Sequence, residues 1–218
     1  AGMSAAAQET AAMRRAIGLA SDVLGVTNPN PAVGAVVLDP TGEVVGTGAT
    51  EPVGGRHAEV VALHAAGTRA RGGTLVVTLE PCRHTGRTGP CTDAIAAAGI
   101  ARVVFAVTDP NPAATGGGAV LRERGIDVEA GRIAAEARSV IEPWLVAVER
   151  RRPYLTWKYA ATLDGRTAAI DGTSKWITGA KARANAHRER LRVDAVIVGI
   201  GTVLADDPQL TSRIGKSE

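Results

Sequence analysis

The chain has 218 residues, of which 45% are hydrophobic, 22% charged and 3% aromatic, and its formal net charge is +3. This length allows one or two domains with a sizeable core, and the few aromatic side chains argue against a protein that stacks single-stranded bases. The small net charge suits an anionic small molecule and does not indicate a nucleic-acid partner. No apolar run reaches the roughly 18–20 residues of a membrane span, so we expect a cytoplasmic protein without a membrane partner. In that reducing compartment its two cysteines are expected to be thiols or metal ligands.

The first 149 residues alternate between helical and extended patterns. Apolar positions at helical spacing predict a helix over 9–25, which the proline-rich stretch 27–31 ends. Residues 33–38 and 43–48 flank the turn sequence Asp-Pro-Thr-Gly, a pattern that predicts a β-hairpin. Further along, we predict helices at 58–66, 92–98, 116–124 and 133–148, and strands at 74–79, 102–107 and 126–129. This order is typical of an α/β fold with a mixed sheet flanked by helices.

A domain boundary is expected after Glu149, where a run of three arginines ends in Pro153. The first domain would comprise residues 1–149 and the second residues 153–218. In the second domain we predict strands at 154–159 and 195–198 and a helix at 180–191, with His187 on the surface. About 65 residues is short for a domain, so we expect this one to be incomplete.

Three residues of the first domain have the chemistry of a catalytic zinc site. His57 begins a predicted helix, Cys82 directly follows a predicted strand and Cys91 begins another helix. Zinc favours nitrogen and thiolate ligands, and a catalytic zinc uses three protein ligands and a water molecule. Backbone N–H groups at the start of a helix favour the thiolate form of a cysteine. We therefore predict a zinc ion held by these three side chains.

Glu59 is the predicted catalytic residue of this site. It lies two residues after His57, so that it can reach a water molecule on the metal without being a ligand. Hydrolytic deamination requires a group that takes a proton from water and passes it to a ring nitrogen and to the departing ammonia, and one carboxylate can do both. The pattern His-x-Glu followed by Pro-Cys and a second cysteine is typical of zinc-dependent nucleobase deaminases. The spacing departs from that pattern because residues 83–90, instead of two residues, separate the cysteines.

The segment between the two cysteines is polar and cationic. Because metal ligands would hold it at both ends, we expect it to border the pocket, with His84 and Arg87 meeting an anionic substrate. Asn30 lies between two prolines in a stiff turn and is a plausible amide contact for a pyrimidine edge, although an asparagine in a turn needs no function.

The segments NPNPAVG (28–34), HAEV (57–60) and EPCRHTGRTGPC (80–91) resemble the bifunctional riboflavin-biosynthesis deaminase/reductase. The resemblance implies a cytidine-deaminase-like fold with this longer cysteine spacing. It also implies deamination of 2,5-diamino-6-ribosylamino-4(3H)-pyrimidinone 5′-phosphate, with Asn30, His84 and Arg87 as substrate contacts, and a homo-oligomer. Gly89 stands where the family usually has proline.

The resemblance continues through TWK (156–158), TLDGR (162–166), SKWIT (174–178) and residues 198–213, which look like the front of the family's reductase domain. That domain is similar to dihydrofolate reductase and uses NADPH to open the ribose to ribitol. By motif, the implied cofactor contacts are Ala160, Trp176, Thr202 and Asp206. The implied sugar-phosphate contacts are Ser174, Arg190, Leu210 and Arg213. The family's reductase continues beyond this point, so an intact NADPH site is expected only where that domain is complete.

Two other functions stay open from the residues alone. Another nucleoside or tRNA deaminase would share the metal chemistry but would give no reason for the reductase-like second domain. A non-catalytic scaffold stabilised by zinc would need a fourth protein ligand. His84 is the nearest candidate, and its place two residues after Cys82 makes joint ligation awkward.

Overall fold

The computed structural model describes residues 3–85 and 89–214 of the chain. Its residues separate into two units, 1–154 and 155–218, which are described in turn. In the described ranges, no helix has both the length and the apolar character needed to cross a bilayer.

A five-stranded mixed sheet forms the centre of the first unit. The strands are β1 (Gly34–Leu38), β2 (Val44–Ala49), β3 (Thr74–Leu79), β4 (Arg102–Val107) and β5 (Asp127–Ala130), in the spatial order β2-β1-β3-β4-β5. β1 is antiparallel to both β2 and β3, whereas β3, β4 and β5 are parallel. The central strands are apolar on both faces and almost entirely buried, as expected for a sheet covered by helices on two sides. The predicted hairpin and the mixed sheet flanked by helices are confirmed.

The described residues of this unit form five α-helices and a short 3-10 helix (Gly67–Ala70). The α-helices are α1 (Ala5–Asp22), α2 (Ala58–Ala66), α3 (Cys91–Ala97), α4 (Gly117–Glu123) and α5 (Ala134–Arg150), which contains Pro143. Small residues let α1 and α2 approach the sheet closely. A Cβ atom on Gly34 would lie 1.9 Å from the Ala16 carbonyl oxygen of α1, and one on Gly48 would lie 2.4 Å from the Ala58 carbonyl oxygen of α2. Gly48 pairs with Ala35, the neighbour of Gly34 on β1. Because neighbouring strand residues point to opposite faces, α1 and α2 cover opposite faces of the sheet.

The segments that contain the predicted site residues of the first domain meet at one edge of the sheet. The parallel strands β3 and β4 end there, and the antiparallel β1 begins there, since Gly34 N–H donates to the Thr78 hydroxyl oxygen at 3.1 Å. β2, antiparallel to β1, also ends at this edge and leads toward His57. The carboxyl ends of parallel strands are the usual place for a ligand site in an α/β sheet.

The second unit contains α6 (Ala180–Arg192) and α7 (Ile200–Asp206) among extended segments. The predicted strands at 154–159 and 195–198 are wrong, because no neighbouring segment of the described residues pairs with either one in a ladder. The prediction that His187 lies on the surface is also wrong. This residue is buried against the segment 212–213: the Arg213 N–H donates to its Nδ1 atom at 3.2 Å, and the Ser212 hydroxyl donates to its carbonyl oxygen at 3.0 Å.

Candidate metal centre

His57, Cys82 and Cys91 converge at the edge of the sheet. His57 is the N-cap of α2, Cys82 follows the end of β3, and Cys91 is the first residue of α3. One ligand atom from each of them lies within 4.8 Å of those of the other two. The His57 Nδ1 atom is 3.2 Å from Cys91 Sγ and 3.6 Å from Cys82 Sγ. Both cysteines are buried, and His57 is half-buried.

The dimensions of this cluster fit a zinc ion. With Zn–N near 2.05 Å and Zn–S near 2.3 Å, a tetrahedral ion places its nitrogen and sulfur ligands about 3.6 Å apart. The two observed nitrogen–sulfur distances, 3.2 and 3.6 Å, are close to that value. Two thiolates would balance the charge of a dication in this buried position. The side chains present therefore fit zinc with three protein ligands.

Hydrogen bonds within the metal-free cluster set the protonation of its thiols. The hydrogen bond between the two cysteines lowers the pKa of Cys82, because the Cys82 thiolate accepts from the Cys91 thiol. The same hydrogen bond raises the pKa of Cys91, which is the donor. The pKa of His57 is raised chiefly by its hydrogen bond with Cys82. Binding of a dication would therefore release a proton from Cys91, as expected when a thiol becomes a ligand.

Glu59 lies on the first turn of α2, two residues after His57, and is buried. Burial is the main reason that its pKa is raised from 4.5 to about 7. The neighbouring Cys91 thiol acts in the opposite direction and lowers this pKa, by a smaller amount. The structure thus places a carboxyl group that exchanges protons near neutral pH directly beside the proposed metal ligands.

The three predicted substrate contacts of the first domain differ in what the structure describes. Asn30 is half-buried before β1, where its N–H donates to the Thr27 carbonyl at 2.9 Å and the Thr27 hydroxyl donates to its carbonyl at 3.0 Å. His84 is also half-buried, and its buried Nδ1 atom has no hydrogen-bond partner among residues 3–85 and 89–214. Arg87 lies outside the described residues. Asn30 and His84 are thus both near the edge that carries the metal cluster.

Two acidic residues at this edge were missed by the sequence reasoning. Glu80 directly precedes the Pro-Cys pair, and Asp109 follows β4; both are buried. Burial raises the pKa of Asp109, and the charges that act on it include those of Cys82 and His84, so it borders the same site. The available signal was the position of each acid within two residues of the end of an apolar strand.

The predicted reductase contacts all lie in the second unit. Arg190 is on α6, and Thr202 and Asp206 are on α7. The other contacts lie outside these helices: Ala160, Ser174, Trp176, Leu210 and Arg213. Two of them meet at Thr211: the Arg190 guanidinium donates to its carbonyl oxygen at 3.2 Å, and that of Arg213 donates to its hydroxyl oxygen at 3.3 Å. The Trp176 ring is 67% exposed, with the Arg183 guanidinium 4.3 Å from its centroid. The structure brings the two arginines together and leaves Thr202 and Asp206 exposed.

Two family models match the chain. The cytidine and deoxycytidylate deaminase zinc-binding region matches residues 6–107, which include all three residues of the metal cluster and Glu59. The RibD C-terminal domain matches residues 153–218.

Known relatives match both parts of the chain. The riboflavin biosynthesis protein RibD of Corynebacterium ammoniagenes is 54% identical over 202 residues, which cover 93% of this chain and 60% of that protein. RibD of Mycobacterium tuberculosis is 50% identical over 204 residues, with the same coverage of 93% and 60%. The chain therefore spans about 60% of the length of these relatives.

Solved structures agree with these matches. A diaminohydroxyphosphoribosylaminopyrimidine deaminase/5-amino-6-(5-phosphoribosylamino)uracil reductase from Thermotoga maritima is 44% identical with a TM-score of 0.91, and the match covers 97% of this chain and 61% of that one. RibD of Acinetobacter baumannii is 44% identical with a TM-score of 0.86, over 95% of this chain and 58% of that one.

Proposed function

Because the chain is 54% identical to a RibD protein over 93% of its own length, we propose that it deaminates 2,5-diamino-6-ribosylamino-4(3H)-pyrimidinone 5′-phosphate to the corresponding uracil in riboflavin biosynthesis. The observation that carries this proposal is the convergence of His57, Cys82 and Cys91 beside the buried Glu59. The Thermotoga maritima relative, described as a deaminase/reductase of such pyrimidines, supports the choice of substrate.

His57, Cys82 and Cys91 would hold the zinc ion. Bound zinc supplies a water molecule whose pKa is lowered toward neutrality, which makes it a nucleophile for the carbon that carries the amino group. An imidazole and two thiolates would leave room for water on the ion, and Glu59 lies on the first turn of α2, two residues after His57.

Glu59 moves the protons of the reaction. Its carboxylate takes a proton from the attacking water and delivers it to the ring nitrogen. It then takes the second proton from the hydroxyl group that has been added to the ring carbon and gives it to the amino group, which leaves as ammonia while the carbonyl forms. Burial of Glu59 keeps bulk water away from the carboxyl group, so that its protons pass between the nucleophile and the substrate.

Asn30, His84 and Arg87 are the proposed substrate contacts. The two hydrogen bonds with Thr27 fix the backbone of Asn30, which allows its amide to read the pyrimidine edge. The buried His84 Nδ1 atom lacks a partner in the described part of the chain, and a polar group of the substrate would satisfy it. Arg87 supplies a cation for the 5′-phosphate.

The test is ammonia release by the zinc-loaded full chain, followed with a coupled enzyme assay. Glu59→Gln is expected to lower kcat by about 10²-fold or more while zinc content stays at the wild-type level. Glu123→Gln, at an exposed carboxylate of α4, is the matched control and should behave as wild type. Undiminished activity of Glu59→Gln would refute the mechanism. Turnover of cytidine or a tRNA anticodon loop without turnover of the pyrimidinone phosphate would instead assign a different deaminase.

We further propose that residues 155–214 contribute to an NADPH-dependent reductase site, as the match to the RibD C-terminal domain implies. The pair of guanidinium groups at Thr211 supports a phosphate contact by Arg190 and Arg213. Ala160, Trp176, Thr202 and Asp206 are the proposed cofactor contacts, with Ser174 and Leu210 beside the sugar. Titration of the full chain with NADPH, monitored by nucleotide fluorescence, tests this assignment. Absence of binding at millimolar NADPH would confine the function to residues 1–154.

We also propose that the protein is a cytoplasmic homo-oligomer and has no nucleic-acid or membrane partner. It rests on the RibD relatives and on the small net charge of +3. Light scattering coupled to size-exclusion chromatography would measure the assembly, and a monomer at micromolar concentration would refute it.

A further inference from the structure

Glu80 is a buried carboxylate two residues before the proposed ligand Cys82, with 6% of its surface exposed. Its Oε1 atom accepts from the Gly118 N–H at 2.9 Å. Its Oε2 atom accepts from the Asp109 N–H at 3.3 Å and from the Thr115 hydroxyl at 3.4 Å. Within residues 3–85 and 89–214 it forms no ion pair, so these three donors alone compensate for its burial.

The segment that follows Glu80 is in direct backbone contact with α4. A Cβ atom on Gly117 would lie 1.8 Å from the Pro81 carbonyl oxygen, a separation that no side chain can accommodate. Glycine at this position therefore allows the start of α4 to lie against the Pro-Cys pair. The Glu80 carboxylate stabilises this contact because it accepts a hydrogen bond from the N–H of the next residue, Gly118.

Cys82 is also held by hydrogen bonds from the first two residues of α3. The Thr92 N–H donates to the Cys82 carbonyl oxygen at 3.2 Å, and the Cys91 N–H donates to Cys82 Sγ at 3.5 Å. Both of these bonds come from backbone donors. On the side toward α4, by contrast, the attachment depends on side chains: the Glu80 carboxylate accepts from the Gly118 N–H, and the Arg83 guanidinium donates to the Thr115 carbonyl oxygen at 2.5 Å.

We propose that Glu80 is a positioning residue for the metal centre: its carboxylate joins Cys82 to the β4–α4 segment and so fixes the distance from Cys82 Sγ to the other two ligands. This inference rests on the proposed function only in that the cluster binds zinc. A ligand held at its final position binds a metal more tightly, and residues that orient metal ligands typically contribute 10- to 100-fold in affinity.

Glutamine at position 80 would keep the shape and remove the function. Donors face both carboxylate oxygens, so the amide NH₂ of glutamine would face an N–H donor in either orientation. In the full chain, chelator competition is expected to show that Glu80→Gln raises the Kd for zinc by about tenfold or more. The visible absorption bands of the Co²⁺-substituted protein should shift as well, because the ligand geometry changes.

Glu9→Gln is the matched control. Glu9 is equally buried, with 6% exposed, but it lies on α1 and is held by Arg102 at 2.7 Å and Arg132 at 3.1 Å. Its loss should lower the Tm and leave the zinc Kd and the Co²⁺ spectrum unchanged. A wild-type zinc Kd in Glu80→Gln would overturn the inference, and so would an equal loss of affinity in Glu9→Gln.

Thr115→Val provides a second test that retains the carboxylate. It removes one donor to Glu80 and is expected to raise the zinc Kd by about threefold, the effect of one lost hydrogen bond. If Glu80→Gln does not fold, an unchanged zinc Kd in Thr115→Val overturns the inference. A wild-type chain that binds no zinc would refute the proposed function together with the role of Glu80. Zinc binding that neither Glu80→Gln nor Thr115→Val alters would refute only the role of Glu80.

Discussion

Burial of Glu59 makes the stability of the metal-free protein depend on pH. Its pKa rises from 4.5 to about 7 on folding, chiefly because burial disfavours the charged carboxylate. Below pH 4.5 the group is protonated in both the folded and the unfolded chain, so its titration does not change the free energy of unfolding. Between pH 4.5 and about 7 the unfolded chain is ionised at this position while the folded chain keeps its proton, so the free energy of unfolding falls as the pH rises through this range. Above about 7 the folded chain must bury the charge, and the loss is complete. A shift of this size corresponds to about 3 kcal/mol, because each pKa unit corresponds to about 1.4 kcal/mol.

Glu59→Gln removes this titration while retaining the shape of the side chain. In the presence of a chelator, we expect the variant to be more stable than wild type by about 3 kcal/mol at pH 8 and equally stable at pH 4. Urea unfolding followed by circular dichroism at pH 4, 6 and 8 measures the difference. The exposed Glu123→Gln variant should show no such trend. A Glu59→Gln variant that is no more stable than wild type at pH 8, or equally stabilised at both pH values, would refute the reasoning.

Two more predictions concern the metal and the substrate. Cys91→Ala removes a fully buried side chain that is one of the three proposed zinc ligands, and we expect metal analysis to show that the dialysed variant has lost its zinc. One zinc per chain in this variant would exclude Cys91 as a ligand. Thr27→Val removes the hydroxyl that donates to the Asn30 carbonyl. The KM for the pyrimidinone phosphate, measured by ammonia release, should therefore rise about threefold while kcat stays unchanged. A loss confined to kcat would contradict the proposal that Thr27 positions Asn30 for substrate binding.

The central strands were predictable because their apolar runs are continuous and are bounded by turn residues. β3 and β4 have the predicted bounds, as does α2. The bounds of α1 differ from the prediction because of local chemistry at its ends. Ser4 caps its start, where the Ala7 N–H donates to the hydroxyl oxygen at 3.3 Å, and Gly25 adopts a positive φ just beyond its end. Such details depend on one hydrogen bond or one dihedral angle, which periodicity does not encode.

The features that sequence reasoning missed depend on contacts between distant segments. The donors to Glu80 come from residues 109, 115 and 118, and no periodic pattern links these positions to residue 80. The predicted strands of the second unit failed for a related reason: an apolar, β-branched run becomes a strand only when another segment pairs with it. Leu155 and Ile197 of these runs are 75% and 88% exposed.

The spacing of the cysteines, which departs from the common deaminase pattern, is compatible with the metal site for a structural reason. Cys82 and Cys91 are joined by bonds that do not involve the residues between them: the Cys91 N–H donates to Cys82 Sγ, and the Thr92 N–H donates to the Cys82 carbonyl oxygen. The positions of the ligands are thus set by the end of β3 and the start of α3. Residues 84–90 can therefore differ in number and composition without altering the distance between these two proposed ligands. His84, a proposed substrate contact, lies in this segment, so a change in the segment's length would move that contact and leave the two cysteines in place.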